Sequence, residues 1–486
     1  MKNIGESMGR GAAWMIAGRF ANKFLGLIST FVLARWLLPD HFGIVMIATS
    51  ILAALELMGA FSFDTVLIQL QDATREHYDT VWTIGILFGA LFATILAGGA
   101  WFFADFYNED RLVLALLVIA LTKLISSFAN VGVIDFRKNL QFGQDFYYGI
   151  AGKLVTVSTT LTTAYFLRDH RALLVGVFSG SVFGVALSYA RHPFRPRFSL
   201  AKRQDIFKSA SWLFVHNIVY FLNTRSADFI VAKLSGSAGL GIFNLANEVA
   251  SVPVTEIAAP VNRAAMPAYA KLQNEPLELV RVYQSTLAAT ALVLIPAAIL
   301  IGTIAPLFVP AILGNRWLDV IQLIPILAMA ALPTALVNNN GVVLLSLGES
   351  KASAILSTLR AGLLLITLFI FTSLYGVMGA AFAMLLTSVS FMAVSHIFLA
   401  RKIRIKISSC LLVCLRPALA SLPMGLLVIF LSNSLMPSIP NLLGTIIFAG
   451  IVYVVSIAVL WMLAGKPDSH EREILRFVRA KITATR

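Results

Sequence analysis

The stretch AAWMIAGRFANKFLGLISTFVLA, residues 12–34, decides how this chain is read. As a helix it is long enough to cross the roughly 30 Å of hydrocarbon in a bilayer. Yet Arg19 and Lys23 lie inside it. An ionisable side chain in hydrocarbon costs at least about 2.5 kcal/mol and persists where it faces a protein interior or a water-filled path. Lys123, Lys153, Arg225 and Arg360 repeat the situation in later apolar runs, which contain fewer acids able to neutralise them. An excess of cations in such places points to an anionic cargo.

Working outward, runs of the same kind recur near residues 41–62, 80–104, 112–132, 147–167, 172–190, 209–232, 238–260, 283–305, 320–341, 352–374, 377–399, 411–431 and 442–463. With the first they make about fourteen candidate transmembrane helices of roughly 20 residues each. The 486 residues are 58% hydrophobic and 13% charged, where roughly 25% charged is usual for a soluble domain. The expected fold is an all-α polytopic membrane protein. Every connection is shorter than the roughly 50 residues a soluble domain needs, which excludes an extramembrane catalytic domain. The first run exceeds a signal-peptide core and is expected to be a retained helix.

Loop charges set the orientation. With the amino terminus inside, cytoplasmic Lys and Arg outnumber those outside by about four to one, among them Arg137, Lys138, Arg191, Arg195, Arg197, Lys202, Arg203, Arg401, Lys402, Arg404 and Lys406. A missed or invented span would reverse every later loop and mix the charges, so the bias also checks the helix count. Both termini are expected in the cytoplasm. The formal charge of +14 therefore reports orientation and implies no nucleic acid. The basic tail, 466–486, carries a pattern that suits a short helix on anionic lipid or a plain solvated helix.

Phe31-Val-Leu-Ala-Arg35 returns as Phe229-Ile-Val-Ala-Lys233, and Gly43 returns as Gly241; the offset is 198 residues throughout. Six spans lie between the copies, an even number, so the halves share one orientation. Parallel repeats imply a pseudo-two-fold axis along the membrane normal, with a substrate site between two bundles. The organisation expected is an N-lobe of six helices at 1–190, a hinge-like basic linker at 191–208, a C-lobe of six helices at 209–400, two additional helices at 401–465 and the tail.

Several blocks carry a family resemblance: Leu33-Ala-Arg-Trp-Leu-Leu-Pro-Asp-His-Phe-Gly43, Asp135-Phe-Arg-Lys138, Gly239-Leu-Gly-Ile-Phe-Asn-Leu-Ala246, and Pro253-Val-Thr-Glu-Ile-Ala-Ala-Pro-Val-Asn262 followed by Met266-Pro-Ala-Tyr269. Together they resemble the polysaccharide transporter, or Wzx-like, oligosaccharide flippases of the multidrug/oligosaccharidyl-lipid/polysaccharide (MOP) superfamily. The resemblance implies a V-shaped transporter moving undecaprenyl-pyrophosphate-linked sugar repeat units to the outer leaflet of a bacterial inner membrane. Membrane lipids are expected partners, and polysaccharide polymerase or export proteins are candidates.

The candidate site follows from the charges. Arg19 and Lys23, four apart on one helix face, match the two phosphates of a pyrophosphate: a guanidinium grips phosphate with a bidentate fork, an ammonium acts as a movable point charge. The competing reading is that both snorkel to the interface. Lys123, Lys153 and Arg360 complete the expected headgroup set. Glu56 and Glu248 are read either as counter-ions or as an ion-coupling site. Asn244, Asn247 and Asn339, with Asn338 and Asn340 beside the last, are candidates for glycan contacts, against the alternative that they join helices. Arg225 and Asp228, three apart, are expected to neutralise each other.

Pro253, Pro260, Pro296, Pro325 and Pro333 invite kinks. Cys410 and Cys414 lack the partners of a zinc or redox motif, and His216 and His396 stand alone, so no metal or cofactor is expected. With no Walker loop and no catalytic triad pattern, the chain reads as a transporter and not an enzyme. Its rivals are a MATE-like cation-coupled drug antiporter, which wants central acids, a membrane-embedded polymerase or glycosyltransferase, which wants a larger catalytic loop, and a non-transporting scaffold.

Overall fold

The computed structural model describes the backbone of residues 2–58, 67–68, 70 and 72–463, with side chains from Trp14 onward except at 16, 205 and 207–216. The tail at 466–486 and the side chain of His216 lie outside the described residues. Among the described residues every regular element is a helix, as bilayer spans require when no water can satisfy backbone groups. The longer helices are α1 (Lys2–Trp36), α2 (Pro39–Met58), α3 (Arg75–Tyr107) and α4 (Arg111–Ser127). A short α5 (Asp135–Lys138) leads to α6 (Phe142–Leu167), α7 (Arg171–Arg191) and α8 (Arg203–Pro253). Then come α9 (Ala259–Lys271), α10 (Pro276–Phe308), α11 (Val320–Ser346), α12 (Ser350–Ile403), α13 (Ile407–Ser434) and α14 (Ile439–Leu463).

Among the described residues nine helices are long and apolar enough to cross a membrane, and a tenth results if Arg111–Ser127 and the segment Val131–Lys138, bent by 75°, form one span. Two of the nine are too long for a single crossing: α8 has 51 residues and α12 has 54, or about 75 Å and more at 1.5 Å per residue. Both break at a glycine of positive φ, Gly236 at 71° and Gly376 at 57°, a conformation that other residues resist. At Gly376 the chain folds back on itself. A Cβ on Gly379 would lie 1.8 Å from the carbonyl oxygen of Phe371, although residues eight apart in a straight helix are separated by about 12 Å. Thr367 and Thr387 then bring their hydroxyls within 2.9 Å across the two legs.

Lipid offers helices no hydrophobic drive to associate, so close backbone approach through small residues does the work. The α6–α7 pair illustrates it: a Cβ on Gly176 or Gly180 would lie 1.7 or 1.9 Å from the hydroxyls of Thr160 and Thr156. Pro253 is followed by a π-helical turn at Val254–Ala258, and another occupies Val309–Leu313 around Pro310; missing amides here change the helical period. Pro296, Pro325 and Pro333 sit within α10 and α11.

The chain divides into two compact units, Met1–Gly241 and Ile242–Arg486. In the first, residues 192–200 form no helix and are strapped to the ends of neighbouring helices. The amides of Arg197, Ser199 and Lys202 donate to Asp79 Oδ1 (2.9 Å), Thr83 Oγ1 (3.0 Å) and Thr80 Oγ1 (3.3 Å) of α3. Buried Asn130 donates to the carbonyls of His192 (3.3 Å) and Phe194 (2.7 Å) while accepting from the amide of Gly132 at 2.9 Å. The second unit is centred on Tyr269, Tyr283, Leu344 and Leu399.

Candidate functional site

In the first unit the cations of α1 acquire a neighbour. Arg19, Lys23 and Gly26 follow at i, i+4 and i+7, one face of a helix. The Nζ of Lys153, on α6, lies 3.8 Å from the position of a Cβ on Gly26. A Cβ there would make only ordinary van der Waals contact with the ammonium, so Lys153 of α6 packs beside the face of α1 that carries Arg19, Lys23 and Gly26. Arg19, Lys23 and Lys153 are all intermediate in exposure.

Lys123 stands apart from this group. Its Nζ on α4 meets Glu56 Oε1 on α2 at 2.5 Å, an ion pair that is 24% and 44% exposed at its two side chains. Exposure keeps such a pair weak, and a polyanion can compete for the ammonium. Arg225 is neutralised as its spacing implied: its Nη1 is 3.2 Å from Asp228 Oδ2. The same oxygen accepts from Ser50 Oγ of α2 at 2.8 Å, so buried Asp228 ties α8 to α2. No sequence signal joined Ser50 to Asp228, which are 178 positions apart.

In the second unit Arg360, on α12, directs Nη2 to the hydroxyl of Thr334 at 3.3 Å and its guanidinium over the ring of Phe391, 5.6 Å from the centroid. Its Nε is buried without a hydrogen-bond partner among the described residues, and no described carboxylate pairs with it. Thr334 and Phe391 carried no signal in the sequence, because only the folded α11 and α12 bring them to the guanidinium.

The asparagines divide. Asn339 is 1% exposed and accepts the hydroxyl of Tyr269 at 3.0 Å, leaving its Nδ2 without a partner among the described residues. Beside it Asn340, of the same expected group, accepts from Tyr283 at 2.8 Å and donates to Ser395 at 3.1 Å, with His396 Nδ1 at 3.2 Å. Asn244, Asn247 and Glu248 are half-buried on α8 beyond its break. Among the described residues no group of His, Cys, Asp and Glu is placed to hold a metal. An open groove of about 360 Å³ between α10, α11 and α13, bordered by Gly302, Pro306, Pro325 and Met329, is apolar and offers an anion nothing.

A family model described as polysaccharide biosynthesis protein matches residues 32–322. The chain belongs to that family. As a polysaccharide biosynthesis protein it is 22% identical over 383 residues to the lipopolysaccharide biosynthesis protein WzxC of Escherichia coli (strain K12), covering 78% of each chain. It is 25% identical over 383 residues to the teichuronic acid biosynthesis protein TuaB of Bacillus subtilis (strain 168), covering 76% of this chain and 78% of that one. Among solved structures, the lipid II flippase MurJ in an inward closed conformation superposes with a TM-score of 0.73 at 15% identity, over 92% of this chain and 98% of MurJ. An inward-facing MATE family transporter of the MOP superfamily gives 0.62 at 16%, over 79% and 94%. This polysaccharide biosynthesis protein is thus a multi-pass membrane protein with the fold of the MOP transporters.

Proposed function

We propose that the protein is a flippase that carries undecaprenyl-pyrophosphate-linked oligosaccharide repeat units from the cytoplasmic to the outer leaflet of a bacterial inner membrane by alternating access. The observation that carries this reading is the cation set: Arg19 and Lys23 on one face of α1 with Lys153 packed beside it in the first unit, and Arg360, buried without a described acid partner, in the second. Arg360, which pairs with no described carboxylate, is costly in an apolar helix unless it meets an anion, and the family is one of polysaccharide biosynthesis. Pyrophosphate is the anion that the spacing of Arg19 and Lys23 suits. Lys123, held by Glu56, is the charge to be exchanged when the headgroup arrives, and Glu248 is the second ion-coupling candidate. Asn244, Asn247 and Asn339 are the amides proposed for the glycan.

Fourteen spans fit this reading: α8 and α12 as hairpins of two legs each, with α1, α4 and α6 as spans whose charge or shortness hides them from a hydropathy test. The charge bias supports a cytoplasmic location for both termini, and six helices in each proposed lobe leave the last two as an addition. Nothing in this scheme requires catalysis.

Reconstitution with a labelled lipid-linked glycan tests the function. Arg19→Ala with Lys23→Ala is expected to abolish leaflet exchange while the protein still purifies as a folded, monodisperse species. Full exchange by the double variant refutes the headgroup role. Ion-driven uptake of a cationic dye by the wild-type protein, without glycan exchange, would establish the antiporter instead.

A further inference from the structure

The two copies of the repeated segment meet each other. Their exposure runs in parallel: Leu33 and Ala34 are 3% and 0% exposed, Val231 and Ala232 0% and 1%, while Arg35 and Lys233 are exposed. The helix breaks at matching points, after Trp36 in the first copy and at Gly236 in the second, which corresponds to Leu38 at the 198-residue offset.

Gly43 and Gly241 then press on the opposite copy. A Cβ on Gly43 would stand 1.8 Å from the carbonyl oxygen of Ser237, and one on Gly241 would stand 1.9 Å from that of Pro39. Ser237 is the counterpart of Pro39 at the same offset, so each glycine meets the residue four positions before the other. A reciprocal contact of this kind is the signature of a two-fold axis. Real Cβ atoms essentially never approach within 3.0 Å, so this register admits glycine alone on both sides.

A chain of side chains spans the same contact. Ser237 donates to Glu109 Oε2 at 2.8 Å. Arg111 donates to both Glu109 oxygens, at 2.7 and 3.0 Å, and to Asp40 Oδ2 at 2.8 Å. Lys233 donates to the carbonyl of Phe106. Deeper along the helices, the Ser50–Asp228 bond ties α2 to α8.

We propose that Pro39–Gly43 against Ser237–Gly241 is the outward latch of the transport cycle. It is a backbone-to-backbone seal, on the face that the charge bias assigns to the outside, that must part before cargo leaves. This rests on the alternating-access reading above. The seal carries no side chain of its own at either glycine, so one methyl group on either side is enough to disturb it. The Ser237–Glu109–Arg111–Asp40 chain sets the register in which it closes.

The first measurement needs no substrate. In a Cys410→Ala, Cys414→Ala background, Val231→Cys reports opening through its reaction with a membrane-impermeant maleimide added outside whole cells. Gly43→Ala and Gly241→Ala, 198 residues apart, are each expected to accelerate labelling several-fold. Gly85→Ala, at a position with open space around it, is expected to leave labelling unchanged. No acceleration by either variant, or acceleration by one alone, overturns the proposal. Should neither glycine variant accumulate, Glu109→Cys with Ser237→Cys is joined by a short bis-methanethiosulfonate. Cross-linking should stop glycan export, and reduction should restore it. Export at the uncross-linked rate, or no cross-link, overturns the latch. Faster labelling in a protein that exchanges no lipid-linked glycan in vesicles supports the latch and removes the flippase reading alone.

Discussion

Arg360 holds a permanent charge, since a guanidinium does not give up its proton in a protein, and one of its nitrogens is buried without a hydrogen bond. Retaining such a group lowers stability, and a well-packed apolar replacement tends to raise it. Arg360→Met is therefore expected to purify with a Tm equal to or above that of the wild type while losing glycan export; a lower Tm with export intact would show that the guanidinium serves the fold. At this scale the sequence was legible where partners are close along the chain. Arg225 and Asp228 pair across three positions as their spacing implied. It was illegible where partners are distant: Lys123 and Glu56 are 67 positions apart, and Lys153 reaches Gly26 only because α6 packs on α1. Asn339 shows the limit of composition, because the same amide that suits a sugar hydroxyl also accepts one from Tyr269.

Elements were readable wherever an apolar run ended in a charge or a turn residue. The ends of α3 and α6 fall at Asn108 and Arg168, both in the left-handed region at φ 52°. The segment after Arg191 was less readable, since its basic, helix-free composition gives no sign of the carboxylate and hydroxyls that α3 offers to its amides. Asn130→Ala removes three hydrogen bonds and leaves buried backbone groups unmet, at about 1–3 kcal/mol for each group stranded. Trypsin is expected to cut faster at Arg195 and Arg197 in inverted membrane vesicles of this variant; an unchanged cleavage rate would deny that Asn130 holds the strap. The loops on the opposite face respond to acid. Burial pushes the Glu109 carboxyl up, but hydrogen bonds from Arg111 and Ser237 outweigh it and hold the group below its usual range. Burial likewise raises Asp169, and neighbouring His170 more than reverses this. A carboxyl depressed in the folded state contributes stability that is complete above its ordinary value of about 4 and is lost as pH falls through the depressed one. The Tm of the purified protein is expected to hold from neutral pH to about 5 and to fall below it. Glu109→Gln should flatten that fall, and an identical profile would refute the assignment.

At the scale of the whole molecule, the periodic placement of Lys and Arg argues for one topology, because that topology gathers about four-fifths of these loop charges on one side. A cysteine at Arg316 is expected to react with impermeant maleimide in intact cells, and one at Lys351 only after permeabilisation. The reverse pattern would overturn the topology and the count of fourteen with it. Hydropathy alone finds nine spans among the described residues: α1, which contains Arg19 and Lys23, is not among them, and the 54 residues of α12, broken at Gly376, count as one. The strap at residues 192–202 has a mechanical consequence. Lys202 is bonded to α3 and α8 begins at the next residue, so no slack separates the two rods. Any tilt of α8 is transmitted to the rim of α3 like motion through meshed teeth, and splicing extra Gly-Ser residues in after Leu200 would introduce backlash, uncoupling one rod's rotation from the other's.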